Sequence, residues 1–408
     1  MKNVVERFIR YAKIDTQSDP DSKTIPSTKK QFNLANLLVE ELKDMGLKDV
    51  SVDEKCVVMA TLPSNIKKDV PTIGFLAHID TTPDMTGKNV KPQIVEDYDG
   101  GDIVLNKEKN IIMSPKVFPE LKNYVGKTLI TTDGTTLLGV DDKAGVAEIV
   151  TAMEYLLKHP EIKHGTVKVA FTPDEEIGLR GMDDFDAEKF GADFAYTLDG
   201  YAAGVFSYET FNAAEAKITV NGISVHPGSA KNKMINSIEL VSELNSMLPV
   251  DQRPQNTEGY EGYFHLYLIN GNVEQTVAQY IIRDHNKEKL EDRKELLKDA
   301  VAFMNRKYGE NTIQLDLKDQ YYNLKYKVEP AMHLVDNALE AIKDAGLTPE
   351  IVPMRGGTDG VTLSYKGVPC PNLFTGGHNF HGKFEYVPTF AMEKAAEVVV
   401  RIIEKYGK

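Results

Sequence analysis

Apolar positions in the first half of the chain switch repeatedly between two periods. Phe32, Leu37, Leu38, Leu42 and Met45 follow a helical repeat that stops at Gly46, a residue suited to a left-handed cap. Continuous apolar runs at 56–62 and 72–77 then predict buried strands. The stretch 145–158 reads as a helix, and 166–171 and 194–198 as two more strands. Helices alternating with short apolar strands predict an α/β fold, a sheet flanked by helices.

From Ala213 the order changes to a strand at 213–220, a helix over 233–247, a hairpin turned at Asn270-Gly271, a charged helix over 286–308 and a strand at 312–317. That β-α-β-β-α-β order is the ferredoxin-like α+β unit. The first pattern resumes at His333, with a strand near Ile351 and an amphipathic helix over 388–406. The expected organisation is one α/β domain in two pieces, 1–212 and 323–408, interrupted by a smaller domain at 213–322. A chain of 408 residues is also longer than a single core usually supports.

Composition narrows the partners more than the fold. Apolar residues at 41% and charged residues at 27% are ordinary for a globular chain. A formal charge of −13 argues against nucleic acid or an anionic membrane, both of which need a basic patch, so neither is expected as a partner. Lys2, Glu6, Arg7, Arg10 and Lys13 occupy the region where a signal peptide would be apolar, and the run 398–403 is broken by Arg401. A cytoplasmic location is the expectation. Cys56 and Cys370, both in apolar contexts, are expected to be reduced, buried and structural.

Five acidic or histidine clusters are each expected at the end of an apolar strand, where loops of an α/β sheet converge on ligands. His78 and Asp80 alternate, which puts both on one face, as a ligand and the carboxylate that fixes its tautomer would be. A lone histidine there would equally suit a core position. Asp141 and Asp142 follow an apolar stretch and open a helix; one of them could simply cap it, but two adjacent carboxylates repel unless a cation lies between them. Asp174, Glu175 and Glu176 stop the strand at 167–171 and offer one carboxylate for a metal and another for a proton. Asp199 precedes Gly200, which also fits a plain turn. His378 and His381 share a glycine-rich loop, and by chemistry alone either could be a ligand. Two histidines and three carboxylates form a set suited to Zn²⁺, with Co²⁺ or Mn²⁺ as substitutes.

These motifs, His78-Ile79-Asp80, 139–145, 172–176, 198–200 and 379–382, resemble in order the metal-site motifs of the dinuclear zinc exopeptidases related to glutamate carboxypeptidase and aminoacylase. The resemblance spans essentially the whole chain, including 221–228, 282–284 and 354–360. It implies a zinc-exopeptidase catalytic domain with the inserted domain as a lid, and two Zn²⁺ per subunit. Asp141 would bridge, His78 and Asp199 would complete one zinc, and Glu176 and His381 the other. Glu175 would be the general base and Asp80 the support for His78. His226 and Arg283 would meet substrate from the lid, with Arg355 and the loop 356–359 lining the opposite side. The implied activity is a metallo-aminopeptidase that releases the N-terminal residue of tripeptides, working as monomer or homodimer. The rivals are a sister dipeptidase, carboxypeptidase or amino-acid deacylase on the same fold, and a silent metal or peptide binder.

Overall fold

The computed structural model describes every residue except Lys2. In chain order the strands that matter are β1 (Lys48–Val52), β2 (Val58–Leu62), β3 (Ile73–His78), β4 (Val167–Thr172), β5 (Phe194–Gly200), β6 (Val205–Ser207), β7 (Asn212–Asn221), β8 (Tyr263–Gly271), β9 (Gln275–Asp284), β10 (Ile313–Tyr321), β11 (Glu350–Ile351) and β12 (Asn372–Phe374). They fall into two compact units. The first comprises Met1–Tyr208, Tyr326–Val352 and Thr358–Lys408; the second comprises Glu209–Lys325 and Pro353–Gly357.

The first unit is built on a mixed sheet in the order β1-β2-β4-β3-β5-β12-β6-β11. The central strands β4, β3, β5 and β12 run parallel, so their C-terminal ends open at the same edge. Every residue of β3 is buried, as expected of a strand covered on both faces. The helix Val140–Lys158 packs against β3 and β5, and the helices Asn3–Ala12 and Thr389–Gly407 pack against it in turn. Gly46 closes the helix Gln31–Met45 at φ +96°, its N–H directed at the Leu42 and Lys43 carbonyls, as the apolar repeat predicted. Cys56 and Cys370 are free and buried.

The second unit is an antiparallel sheet in the order β8-β9-β7-β10. In β9 burial alternates along the strand, so Ala278, Tyr280 and Ile282 face the core while Gln279, Ile281 and Arg283 do not. The helices Ser237–Met247 and Lys287–Tyr308 supply the rest of that core through Leu240, Leu244, Leu290, Leu297 and Met304. Two expectations shift here. The first helix begins at Ser237, not 233, because Asn236 caps it by accepting from Ile238 N, and Ile235 instead pairs with Ile223. The hairpin turn lies beyond Asn270-Gly271: Gly271 pairs with Thr276, and the Asn272 side chain accepts from Glu274 N at 2.9 Å. A Cβ on Gly271 would sit 2.4 Å from Thr276 Cα, so this glycine serves close approach and not the turn.

Candidate metal centre and active site

The parallel strand ends bring five side chains together. His78 closes β3 and Asp199 lies near the end of β5; Asp141 opens the helix Val140–Lys158, Glu176 follows β4, and His381 follows β12. Two groups result, His78–Asp141–Asp199 and Asp141–Glu176–His381, in each of which the ligand-type atoms lie within 4.8 Å of one another. Asp141 belongs to both. Its Oδ1 is 2.8 Å from His78 Nε2 and its Oδ2 is 3.2 Å from His381 Nε2. Glu176 Oε2 lies 2.9 Å from His381 Nε2, and Asp199 Oδ1 lies 3.9 Å from His78 Nε2.

The electrostatics describe a site short of positive charge. Burial, reinforced by the charge of Asp141, drives the Asp199 carboxyl well above the usual range and pushes Glu176 up to about 7. Burial does the same to Glu175, with Asp199 and Asp359 adding to it. The histidines move oppositely to what burial dictates, because their acid partners outweigh it: His78 is raised well above its ordinary value by Asp141 and Asp80, and His381 to about 12 by Asp141 and Glu176. Asp141, between two imidazoles that outweigh its burial, is held well below the usual carboxylate range. Glu176 Oε1 is buried with no hydrogen-bond partner among the described residues. Crowded acids that burial forces toward protonation, with an orphaned oxygen among them, fit a metal cation, which reverses that cost.

Supporting groups surround the two sets. Asp80, fully buried, has Oδ1 3.3 Å from His78 Nδ1, and its oxygens accept from Glu175 N at 3.0 Å and Glu176 N at 3.3 Å. It therefore orients a histidine and the acidic pair at once. Asp142 takes the structural role that an aspartate opening a helix suggested: its carboxylate accepts from His78 N at 3.1 Å and Gly145 N at 3.3 Å. The Asp141–Asp142 peptide is cis.

His378 stands apart from both groups. Its Nε2 shares a hydrogen bond of 2.6 Å with the Tyr124 hydroxyl, its ring stacks on Tyr386 at 4.8 Å, and burial lowers its pKa to about 4. Of two further buried acids, Asp359 was expected only as part of the loop lining substrate, and Glu385 escaped the sequence reading. Asp359, pushed up to about 7 by burial, accepts from the Thr172 hydroxyl. Glu385 accepts three backbone N–H groups around Asp141. The signal for Glu385 was available: it is the one charge in the run Phe384-Glu385-Tyr386-Val387-Pro388.

The second unit carries the remaining expected residues. His226 is exposed and its Nδ1 accepts from Gly228 N at 3.1 Å. Arg283, on β9, donates to the carbonyls of Ala214 and Ile282 and to Gln320 Oε1, and lies over the Tyr321 ring. Arg355 donates to the carbonyls of Gly259 and Glu261 and to Thr257 Oγ1, with its guanidinium over Phe211 and Tyr263. Those contacts explain why 353–357 join the second unit, so Arg355 belongs with His226 and Arg283 and not with the catalytic sheet as expected.

A parallel sheet edge presenting two ligand groups joined by one carboxylate is the site of a metal-dependent hydrolase, and its relatives specify which kind. The M20 peptidase dimerisation domain matches residues 208–312. The chain is 63% identical to Peptidase T of Alkaliphilus oremlandii, with 100% of both chains covered, and 58% identical to Peptidase T of Bacillus subtilis, covering 99% of this chain and 98% of that one. Among solved structures, aminopeptidase PepT from Bacillus cereus matches with a TM-score of 0.77 at 25% identity, over 100% of this chain and 99% of that one. A tripeptidase from Staphylococcus aureus shares the fold, with a TM-score of 0.79 at 22% identity over 100% and 98%. The chain belongs to the peptidase T family.

Proposed function

We propose that this chain is a tripeptide aminopeptidase that holds two zinc ions, one in each of the ligand groups that share Asp141. That sharing is the observation that carries the reading, and the 63% identical Peptidase T supports the substrate class. His78, Asp141 and Asp199 would hold one ion, and Asp141, Glu176 and His381 the other. When bound, the ions polarise the first peptide carbonyl and make the attacking water acidic.

The chain's own groups carry the rest. The Glu175 carboxylate takes a proton from water as the new C–O bond forms, and returns it to the amine nitrogen as the C–N bond breaks. Asp80 keeps Glu175 in place through the 3.0 Å bond from its main-chain N–H. His226 donates to the oxyanion, and Arg283 reads the peptide carboxylate, releasing present partners to do so. Arg355, already engaged by two carbonyls and a hydroxyl, acts from the second unit as a positioning group for substrate.

The match to a dimerisation domain supports a homodimer. No described helix is long and apolar enough to cross a membrane, and the proposed setting is the cytoplasm. Comparing a free tripeptide with its N-acetylated form tests the activity. An aminopeptidase cleaves only the free amine, whereas equal cleavage of both would assign the chain to a sister deacylase or carboxypeptidase.

A further inference from the structure

Asp141 serves both ligand groups, so the direction of its carboxylate decides whether the groups are joined at all. Its backbone is not held by a regular helix. Gly139 has φ +83°, and Asp141 and Asp142 depart from helical values within the segment Val140–Lys158. The main-chain N–H groups of this turn need other acceptors, and three of them find the same one.

Glu385 Oε2 accepts from Leu138 N and Gly139 N, each at 2.7 Å, and Oε1 accepts from Asp141 N at 3.1 Å. Glu385 is 1% exposed, so water is no substitute acceptor. It also lies four residues after His381, and its own N–H donates to Gly382 O at 3.2 Å. One short segment thus carries a ligand of the second group and the clamp on the ligand common to both.

We propose that Glu385 is a positioning residue of the metal centre, which fixes the 138–141 turn so that the Asp141 carboxylate reaches His78 and His381 together. The inference rests on the metallopeptidase reading above. A carboxylate suits the task because it has two accepting oxygens and no donor, so three converging N–H groups are all satisfied. An amide of the same shape has one accepting oxygen and turns its NH₂ toward at least one N–H. Bonds to a charged acceptor are also roughly twice as strong as neutral ones.

The test is a Zn²⁺ titration of metal-free wild type and Glu385→Gln in competition with a chromogenic chelator, beside tripeptide kinetics and thermal melting of the metal-free proteins. Glu385→Gln is expected to bind zinc about 10- to 100-fold more weakly, the usual effect of losing a group that supports a metal ligand. kcat should fall with it while KM changes little. If the variant melts earlier without metal but binds zinc as wild type does, Glu385 is only structural and the proposal is overturned. Gly139→Ala strains the same turn from its other end, where a Cβ meets only ordinary contacts at 3.5 Å from Lys143 Cδ and Thr81 Cγ2. It should weaken zinc binding in the same direction, so wild-type affinity there overturns the proposal even if Glu385→Gln does not fold. Wild type that takes up no zinc refutes the metallopeptidase reading and this inference with it. Normal uptake by wild type and both variants refutes this inference alone.

Discussion

Glu175 and Glu176 are neighbours in sequence with opposite predicted failures. Glu176 Oε2 lies 2.9 Å from His381 Nε2 and 4% of the side chain is exposed, so Glu176→Gln exchanges a charged, buried ligand oxygen for a neutral one in a group of three. Loss of a supporting group already costs metal about 10- to 100-fold in affinity, and loss of a ligand should cost at least the upper end. Glu175 belongs to neither ligand group, and its backbone stays anchored on Asp80 after substitution. Glu175→Gln should therefore retain two zincs and bind peptide, while kcat falls by roughly 10² to 10⁴, or about 3 to 5 kcal/mol of transition-state stabilisation. The assay is zinc stoichiometry by elemental analysis beside kcat for both variants, with excess zinc added back. Recovery by Glu176→Gln alone is expected. If Glu175→Gln lost zinc while Glu176→Gln kept two and lost only kcat, the division of roles would be reversed.

Other parts of the first unit give independent tests. Since burial lowers the pKa of His378 to about 4 from 6.5, the unfolded chain binds the extra proton first, and stability should fall as pH drops from 6.5 toward 4. That gap is worth at most about 3 kcal/mol; denaturant midpoints of metal-free His378→Gln should show a flatter acid slope, and parallel slopes would contradict it. Glu41 accepts from Tyr11 OH at 2.6 Å and Arg7 Nε at 2.8 Å, and these partners outweigh burial and lower its pKa below 4.5. Its stabilisation is present above pH 4.5 and lost as pH falls through the lowered value, so Glu41→Gln should cost about 1–2 kcal/mol at pH 7, Arg7 keeping Glu154, and less in acid. Gly145→Ala would put a Cβ 2.1 Å from the Leu198 carbonyl oxygen, and thermal melts should show a loss of about 1–3 kcal/mol or more; an unchanged melting temperature would mean that the helix moves freely off β5.

Where a polar residue closes an apolar strand, its place in the site was legible in sequence. His78, Glu176 and Asp199 were found that way, because parallel strands deliver their ends to one edge, whereas Asp141 was found from the adjacent carboxylates that open a helix. His381 was not separable from His378 by pattern. What separates them is the tertiary partner each ring finds, Tyr124 for one and Asp141 with Glu176 for the other. Glu385 was missed because its partners are backbone N–H groups remote in sequence, and Asp359 was read only as part of a lining loop because the Thr172 hydroxyl it accepts from is equally remote. Arg355 was assigned to the wrong unit for a similar reason: chain order puts it after the insertion, whereas its guanidinium is held by carbonyls near Gly259. The Asn270-Gly271 signal was real but local, and strand pairing carried the ladder past it to Asn272.

The central claim is that hydrolysis at the tripeptide N-terminus depends on the paired ligand groups joined by Asp141. Incubating the full chain with di-, tri- and tetrapeptides, with and without chelator, and identifying the products by mass tests it most directly. The account predicts that tripeptides yield one free N-terminal amino acid and a dipeptide, that chelation abolishes this, and that added Zn²⁺ restores it. Full turnover by metal-free protein, or release of the C-terminal residue first, would contradict it.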